Sequence, residues 1–325
     1  MRCANAAADA PADPHTVMNM QRSLFDSRDA ASNACVRFGT SSFSAPGWLG
    51  TFYPRGTRPG DFLRHYATQF DTVEIDATYY SIPSIELVDG WARKTPERFV
   101  VAAKFPRSIV HAGGAADPDP GRLLTPDATY ADRDAFLDVM SRLGARLGPL
   151  LLQFPFFAAQ TFGTRAAFCD RLERFLDDLP VGFSYAVEVR NRDWLDVAFA
   201  ELCRRHRVAL VLVDRAGMPH GHDVATRLDP VSTDFAYVRL LGDRARIERI
   251  TTDWTREVID HRASLERWAD LLAALDERQV PTWVFTNNHY AGHAPTTVRR
   301  LQKLYHAARD RRRADHDANG GRDPA

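Results

Sequence analysis

The stretch Asp71-Thr-Val-Glu-Ile-Asp-Ala-Thr-Tyr-Tyr80 decides the fold class of this chain. Apolar residues at positions 73, 75 and 77 alternate with polar residues at 74, 76 and 78, and this period of two predicts a β-strand over Thr72–Thr78. The strand lies between two helical patterns, an arrangement that usually buries a parallel sheet on both faces. Because a buried carboxylate needs a compensating cation or hydrogen bond, Glu74 and Asp76 indicate a polar pocket.

Strand-like and helix-like segments alternate along the chain on either side of that stretch. The predicted strands are Val36–Ser42, Thr72–Thr78, Arg98–Lys104, Pro149–Gln153, Ser184–Arg190, Val208–Asp214, Asp234–Leu240 and Pro281–Thr286. Eight strands with helical patterns between most of them, in about 270 residues, match the count and size of a (β/α)8 TIM barrel of the α/β class. The alternative is an open doubly wound sheet, which normally carries a Gly-rich first turn. The first strand instead leads into Phe38-Gly-Thr-Ser-Ser-Phe-Ser-Ala-Pro-Gly47, which is neither a dinucleotide fingerprint nor a P-loop.

The predicted organisation is one barrel domain over residues 35–307 with a flexible tail at each end. Residues 1–34 are rich in Ala, Asp, Asn and Ser, so we expect a disordered leader there. Residues 308–325 are charged and contain glycine, which predicts a disordered charged tail. The segments 108–130 and 215–233 are too long for simple turns and are predicted to form loops over the site.

The overall composition excludes some classes of function. Lysine plus arginine equals aspartate plus glutamate at 42 each, so the chain has no global basic signal for nucleic acid, although local patches remain possible. No sustained apolar run indicates a secretory signal or a membrane span, and no membrane partner is expected. The four cysteines show no CxxC spacing, which favours reduced thiols in a cytoplasmic protein.

The functional residues of a TIM barrel lie at the C-terminal ends of its strands. Every predicted strand of this chain ends in polar or ionisable side chains. Two of these are candidate catalytic groups, with Glu188 preferred as general acid or base and Glu74 second. The candidate ligand-binding residues are Thr40, Ser41, Thr78, Tyr80, Lys104, Gln153, Arg190, Arg239, Asn287 and Asn288.

Alternation within the strands places several charges inside the barrel. Glu188 and Arg190 alternate with valines, and Arg239 lies between Val238 and Leu240, so all three charged side chains are predicted to point inward. Since inward-facing charge is expected to be paired, Glu188 is predicted to meet Arg190 or Arg239. The alternative to a ligand pocket is a salt-bridge network that only fills the barrel.

Lys104 is the other cation of this predicted interior, and Glu74 or Asp76 on the neighbouring strand can reach it. Its ammonium could serve as an electrophile, a phosphate ligand or, least favoured, a Schiff-base lysine. No HxH, HExxH or CxxC spacing is present, so no metal site is predicted, and the sequence leaves the cofactor unknown.

A set of short motifs occurs in a fixed order along the chain. The motifs are Phe38-Gly-Thr-Ser-Ser-Phe, Trp48-Leu-Gly-Thr-Phe-Tyr-Pro54, Phe70-Asp-Thr-Val-Glu-Ile-Asp-Ala-Thr-Tyr-Tyr80, Trp91-Ala-Arg-Lys-Thr-Pro96, Lys104-Phe-Pro-Arg-Ser-Ile-Val-His111, Leu150-Leu-Leu-Gln-Phe-Pro155, Ala186-Val-Glu-Val-Arg190, Tyr237-Val-Arg-Leu-Leu-Gly242 and Phe285-Thr-Asn-Asn-His289. Taken together, this set resembles the domain of unknown function 72 (YecE-like) family. The resemblance covers about residues 36–305 and implies a TIM barrel with the strand-end residues forming a pocket. It implies no established reaction.

The chain departs from the family pattern at two places. The usual Asn-Ser-Thr-Phe-Tyr run is Asp76-Ala-Thr-Tyr-Tyr80 here, which adds a carboxylate and removes a hydroxyl. The usual Arg-Leu-His-Gly run is Arg239-Leu-Leu-Gly242, so a histidine is missing. A mechanism that used that histidine would therefore fail for this chain.

Three functions remain open from the sequence. The preferred one is a pocket for a small anionic or sugar-like ligand, with possible acid–base catalysis, because inward cations exceed what the carboxylates need. The second is a metal-dependent, endonuclease-like barrel, which the neutral charge and the few histidines disfavour. The third is a binding protein that uses the same pocket without turnover.

Overall fold

The structure is a computed structural model that describes residues 35–113, 117–162 and 164–320, so the predicted leader over residues 1–34 lies outside the described residues. The strands are β1 (Val36–Thr40), β2 (Thr72–Ile75), β3 (Val100–Lys104), β4 (Leu147–Gln153), β5 (Tyr185–Glu188), β6 (Ala209–Arg215), β7 (Ala236–Gly242) and β8 (Thr282–Thr286). The helices are α1 (Phe62–Tyr66), α2 (Ile85–Lys94), α3 (Arg107–Val110), α4 (Pro126–Ser141), α5 (Ala159–Phe162), α6 (Arg165–Asp177), α7 (Val197–Arg205), α8 (Gly221–Ala225), α9 (Arg244–Glu248), α10 (Arg262–Glu277), α11 (Asn288–Ala291) and α12 (Ala294–Gly320). Short 3-10 helices cover Pro59–Asp61, Ala77–Tyr79, Gly144–Arg146 and Arg192–Trp194.

The eight strands form a nearly closed parallel barrel. Each strand pairs in parallel with its sequence neighbour from β2 to β8, and β8 pairs with β1. Between β1 and β2 the closure is a single parallel bridge from Ser41 to Glu74, with the amide of Ser42 donating to the carbonyl of Glu74 at 2.7 Å. A β-carbon on Gly39 would collide with the carbonyl of Thr72, so this close approach of β1 and β2 requires glycine. The predicted TIM barrel is confirmed.

The barrel interior has an apolar lower part and a polar upper part. Side chains that alternate along the strands fill the lower part: Val100, Ala102, Leu151, Ala186, Ala209, Val211, Val213, Phe235, Tyr237, Trp283 and Phe285. A separate and larger apolar layer lies between the strands and the surrounding helices. Strands buried on both faces read as continuous apolar runs, as Ala209-Leu-Val-Leu-Val213 does. The C-terminal strand ends thus rest on one apolar core inside the barrel and a second one between the strands and the helices.

Side-chain caps fix where several helices begin. Thr164 Oγ1 accepts from the amide of Ala167 at the start of α6, and Asp196 Oδ1 accepts from the amide of Phe199 at the start of α7. Such caps satisfy backbone donors that have no partner inside the helix. They fix the points at which the segments after β4 and β5 enter α6 and α7.

Several boundaries differ from the sequence prediction. β2 ends at Ile75, and Thr78 lies in a 3-10 helix because its hydroxyl bonds the carbonyls of Ile75 and Lys104. Helix α12 continues to Gly320, through residues that the sequence assigned to a charged tail. The predicted loop segments contain helices: α3 and the start of α4 in the first, and α8 in the second. Within the described ranges, none of the helices combines the length and the hydropathy that a membrane span requires.

Candidate functional site

Arg239 on β7 joins three other strands in the polar upper part of the barrel. Its guanidinium donates to both carboxylate oxygens of Glu74, from Nε to Oε2 at 2.9 Å and from Nη2 to Oε1 at 2.8 Å. Nη1 donates to Glu188 Oε2 at 2.5 Å and to Gln153 Oε1 at 2.9 Å. Arg239 is 1% exposed and both glutamates are fully buried. The planar guanidinium matches carboxylate geometry, so this network holds β2, β4, β5 and β7 in one register.

The two buried glutamates are held in the ionised form. Burial alone would raise the pKa of Glu74, but Arg239 and Lys104 outweigh it and hold that pKa below its usual range. Burial opposes Arg239 and Arg190 at Glu188 in the same way, and the pKa of Glu188 is also lowered. The hydroxyl of Tyr237 adds a 2.7 Å hydrogen bond to Glu74 Oε2. Both carboxylates are therefore acceptors at neutral pH, not proton donors.

Lys104 points into the same space from the end of β3. It follows Ala102 by two residues and so shares its inward face. Burial, reinforced by Arg239, lowers the pKa of Lys104 to about 8, although Glu74, Asp76 and Glu188 pull it upward. Among the described residues, no carboxylate forms an ion pair with its ammonium. Lys104 is thus a desolvated cation whose charge the surrounding side chains do not fully balance.

Two arginines and a tyrosine lie above this network at the barrel mouth. Arg190 Nε is 3.4 Å from Glu188 Oε1, the carboxylate oxygen that Arg239 does not use. Arg215 ends β6, and burial and the charge of Arg190 lower its pKa. Burial raises the pKa of Tyr79, and the charges of Arg107 and Arg190 oppose that effect. Arg239 takes up most of the capacity of Glu74 and Glu188, and Asp76 and Asp243 only partly offset the burial of Lys104 and Arg215. We call Lys104, Arg190 and Arg215 the mouth cations.

The structure brings six of the sequence-predicted residues together inside the barrel: Glu74, Lys104, Gln153, Glu188, Arg190 and Arg239. Glu74 does not take its adjacent Lys104 as ion-pair partner but pairs with Arg239 from across the barrel. Both partners predicted for Glu188 are present.

Three further predicted residues lie at the strand ends in supporting positions. The hydroxyl of Thr40 bonds Tyr66 Oη at 2.8 Å and the carbonyl of Ser42 at 2.6 Å. The hydroxyl of Thr78 bonds backbone on both β2 and β3. Ser41 Oγ is buried and has no hydrogen-bond partner among the described residues, so it is the one hydroxyl of the three that could meet a ligand.

The remaining predicted residues lie farther from the network. Asn287 Oδ1 caps α11 by accepting from the amide of Tyr290 at 3.1 Å. Asn288 Oδ1 accepts from Trp48 Nε1 at 3.1 Å and from the amide of Ala294 at 3.0 Å. Tyr80 is 81% exposed, so it stands outside the barrel mouth. The two amides are committed to local structure by their oxygens.

Sequence reasoning missed three residues of this site. Tyr237 shares the inward face of Arg239, so the period of two could have found it. The predicted strand stopped one residue before Arg215, where the pairing register of β6 with β7 shifts. Such a register shift changes the direction in which a side chain points, and no local sequence signal marks the shift here. Tyr79 lies in the 3-10 helix after β2, where the period of two no longer indicates which way a side chain points.

Three cavities of the molecule lie outside the network. One of about 330 Å³ lies at the opposite end of the barrel, beside Phe70, Phe99 and Tyr305, and one of about 450 Å³ lies between charged residues of α6 and α7. The third, of about 400 Å³, lies between the segments that follow β4 and β5. Within residues 35–113, 117–162 and 164–320, no three His, Cys, Asp or Glu side chains are grouped so that they could hold a metal ion.

Two curated bacterial proteins are similar to part of this chain. UPF0759 protein YecE of Escherichia coli (strain K12) is 36% identical over 140 residues, which are 43% of this chain and 45% of that protein. UPF0759 protein YunF of Bacillus subtilis (strain 168) is 26% identical over 152 residues, 46% of this chain and 50% of that protein. The chain thus spans about half the length of the curated relatives it matches.

Two solved structures share the fold along most of this chain. A DUF72 family protein from Thermotoga maritima has a TM-score of 0.65 and 28% identity, and the match covers 83% of this chain and 99% of that one. A DUF72 family protein from Enterococcus faecalis has a TM-score of 0.57 and 20% identity, covering 83% and 97%, and supports the fold alone. The model of the family described as "Protein of unknown function DUF72" matches residues 37–319. With the barrel and its motifs in place, this chain belongs to the DUF72 family.

Proposed function

We propose that the barrel mouth binds a small anionic ligand between the mouth cations Lys104, Arg190 and Arg215. The observation that carries this proposal is the mismatch of charge. Arg239 alone satisfies three of the four oxygens of Glu74 and Glu188, and Arg190 approaches the fourth. Lys104 and Arg215 remain desolvated beside other cations, which lowers the pKa of both.

An anion at this position would remove an electrostatic cost. Desolvated like charges repel each other, and a bound phosphate, sulfate or carboxylate would offset that repulsion. The hydroxyl of Ser41, which has no hydrogen-bond partner in the part of the chain that the structure describes, supplies a neutral donor at the same strand ends. The buried ion pairs below hold the arrangement rigid, so little conformational entropy is lost on binding.

The position of the cations favours a small molecule over a nucleic acid. A cation inside the end of a barrel can bind a compact anion, whereas the phosphates of a duplex need cations spread along an exposed cleft. Arg239 is 1% exposed, and Arg190 has 27% of its side chain exposed.

A catalytic role at the same site is a second proposal, and one observation favours it. The pKa of Lys104 lies at about 8, where an amine can accept and release a proton under mild conditions. Glu188 is the better of the two carboxylate candidates, because its Oε1 has only the long 3.4 Å contact with Arg190 while Arg239 holds both oxygens of Glu74. With lowered pKa values, either glutamate would act as a base.

The test of the proposed binding is a thermal-shift and calorimetric titration of the wild type with phosphate, sulfate and small mono- and dicarboxylates at low ionic strength. We expect at least one anion to bind, and Arg215→Met to weaken it by about tenfold or more, as losing a desolvated cationic contact does. Arg55→Met removes an exposed arginine from the loop after β1 at the same end of the barrel and should leave the affinity unchanged.

Two outcomes would contradict the proposal. Either no anion of the three classes binds, or Arg55→Met weakens binding as much as Arg215→Met does, which would indicate diffuse surface attraction. For the catalytic proposal, any ligand found is incubated with wild type and with Glu188→Gln, and the products are analysed. Equal turnover, or turnover by neither, would remove Glu188 as a catalytic residue.

A further inference from the structure

A groove of about 400 Å³ lies beside the barrel mouth, between the segments that follow β4 and β5. Aromatic rings form much of its wall. The rings of Phe157 and Trp194 lie 5.8 Å apart between centroids and 26° from parallel, and Trp194 also stacks on Phe168 at 4.9 Å. Phe156 is 63% exposed at the edge of the groove. An exposed phenylalanine beside a rigid aromatic wall is typical of a surface that meets an apolar group.

The polar side chains of the groove are mostly committed to the protein. Asn191 Oδ1 accepts from the amide of Phe157 at 2.9 Å, and Asn191 Nδ2 donates to the carbonyl of the same residue at 2.8 Å. Arg165 binds both oxygens of Asp196 through its two terminal nitrogens. These polar groups hold the walls in place, while the charged side chains of Arg192 and Asp193 at the rim are exposed. Phe157 is buried and Phe156 is exposed, so the accessible apolar surface of the groove is the ring of Phe156.

The groove adjoins the mouth through consecutive residues of the chain. Arg190 is a mouth cation, and Asn191, which follows it directly, lines the groove. Consecutive Cα atoms are about 3.8 Å apart, so the groove begins within one residue of a mouth cation. The same neighbourhood on β4 places Gln153 in the buried network and Phe156 at the groove edge, three residues later.

We infer that the groove holds an aromatic ring of the ligand whose anionic group lies between the mouth cations. This inference rests on the proposed function and names the class of ligand: an aryl-bearing anion such as an aryl phosphate or aryl carboxylate. A sugar in the groove would need hydrogen-bond partners for the hydroxyl groups around its ring, and the amide of Asn191 is already engaged by Phe157. A flat ring needs no such partners and can stack against the exposed ring of Phe156.

The experiment compares inorganic phosphate with phenyl phosphate by calorimetry on the full chain at pH 8. The two probes share the anionic group and differ in the ring. We expect phenyl phosphate to bind about tenfold more tightly. A stacked aromatic contact and the burial of the ring together strengthen binding by about that factor or more. Phe156→Ala should reduce that advantage several-fold and leave the affinity for inorganic phosphate unchanged.

A second variant tests the groove without removing an aromatic wall. Ala158→Trp fills the groove, whose wall includes Ala158, and should abolish the advantage of phenyl phosphate while phosphate still binds. Equal affinity of the two probes for the wild type, with phosphate binding still lost in Arg215→Met, would overturn this inference and leave the proposed function standing. Binding of neither probe, nor of the other anions, would overturn both.

Discussion

Arg239 and Glu74 form a two-pronged ion pair across the inside of the barrel, with Nε to Oε2 at 2.9 Å and Nη2 to Oε1 at 2.8 Å. The two residues lie on β7 and β2, which are not neighbours in the sheet. Because Arg239 also bonds Glu188 and Gln153, one buried cation organises the polar layer beneath the mouth. The consequences of this pairing for stability and binding can be measured.

Arg239→Met should destabilise the fold and reverse part of the pH dependence of its free energy of unfolding. Removing one partner of a buried ion pair costs about 3–5 kcal/mol because the other charges stay buried and uncompensated. In the wild type, the lowered pKa values of Glu74 and Glu188 give stability that is present above the ordinary glutamate pKa and lost as pH falls through the folded pKa. In the variant, burial raises both pKa values, so stability should fall as pH rises from 5 to 8. Urea unfolding at several pH values measures this.

Arg142→Met is the matched control for that experiment. Arg142 binds both oxygens of Asp89 at 2.8 Å, so it has the same two-pronged geometry, but 44% of its side chain is exposed. Exposed pairs contribute about 0–1 kcal/mol. Equal losses in the two variants would show that burial of the Arg239 network has no energetic consequence.

Lys104→Met should stabilise the protein while weakening anion binding. Burial and Arg239 lower the pKa of Lys104 from 10.5 to about 8, so the unfolded chain binds more protons between these values and wild-type stability rises across that pH window. Below pH 8 the wild type carries the full cost of the charged amine, up to roughly 3 kcal/mol. The gain from Lys104→Met should therefore be largest at pH 7 and vanish near pH 10.5, measured by chemical denaturation.

The exposed Lys303 on α12 offers the same substitution without the burial. Lys303→Met should change the free energy of unfolding by less than about 0.5 kcal/mol, as surface substitutions generally do. If Lys104→Met destabilises the protein at pH 7 instead, Lys104 is held by favourable contacts and is not a desolvated cation awaiting an anion.

The alternation of inward and outward side chains along the strands predicted most residues of the buried network, but not which of these residues form ion pairs with each other. Glu188 and Arg239 alternate with apolar neighbours, so their inward direction could be read from the sequence. The partner of Glu74 could not, because a long arginine side chain reaches across the barrel to it while the ammonium of the adjacent Lys104 forms no ion pair among the described residues. Which cation pairs with Glu74 depends on how far strands from distant parts of the chain are displaced from each other along the barrel axis. No local sequence pattern encodes this displacement.

The strand ends were harder to predict because polar residues there serve two purposes. Asn287 follows β8, a position that indicates ligand binding in a barrel, yet its oxygen caps α11. Arg215 lies beyond the predicted end of its strand, and the register shift after Asp214 places it at the mouth. Caps and bulges depend on how the backbone leaves the strand, so the same residue types fit both readings.

The buried His293 should make the protein less stable as the pH falls, and this effect should not depend on the barrel network. It is 4% exposed, its Nδ1 lies 2.7 Å from Thr296 Oγ1, and its Nε2 lies 3.3 Å from Thr51 Oγ1. Burial, with a smaller contribution from Arg299, lowers the pKa of His293 to about 4. The unfolded chain therefore binds more protons between the ordinary histidine pKa and about 4, and stability falls across this window as pH decreases, by up to roughly 3 kcal/mol.

His293→Gln removes the titrating group while keeping a donor and an acceptor, so its stability should fall less than that of the wild type between pH 6.5 and 4. Thermal melts at half-unit pH steps compare the two slopes. His306→Gln makes the same substitution at an exposed position of α12. If that substitution flattens the profile as much, the effect does not come from the burial of His293.

Asp214→Ala should destabilise the segment that presents Arg215 and weaken anion binding indirectly. Asp214 Oδ2 accepts from the hydroxyl of Ser264 at 2.5 Å, from Trp268 Nε1 at 3.0 Å and from the hydroxyl of Tyr290 at 2.9 Å. Removing the carboxylate takes the acceptor from Trp268 Nε1 and leaves the hydroxyls of Ser264 and Tyr290 with only each other and His220, which costs about 2–4 kcal/mol. Ser264→Ala removes only one of these donors and should cost about 1 kcal/mol.

The affinity for phosphate separates a positioning role of Asp214 from a purely structural one. Asp214 faces the helices and Arg215 faces the mouth, so loss of the Asp214 anchor should let the end of β6 move and should weaken phosphate several-fold under conditions where the variant is still folded. Ser264→Ala keeps two of the three hydrogen bonds to Asp214 and should bind phosphate like the wild type. If Asp214→Ala lowers stability but binds phosphate with wild-type affinity, the anchor stabilises α10 and α11 without positioning Arg215, and the mouth depends on the β6–β7 pairing alone.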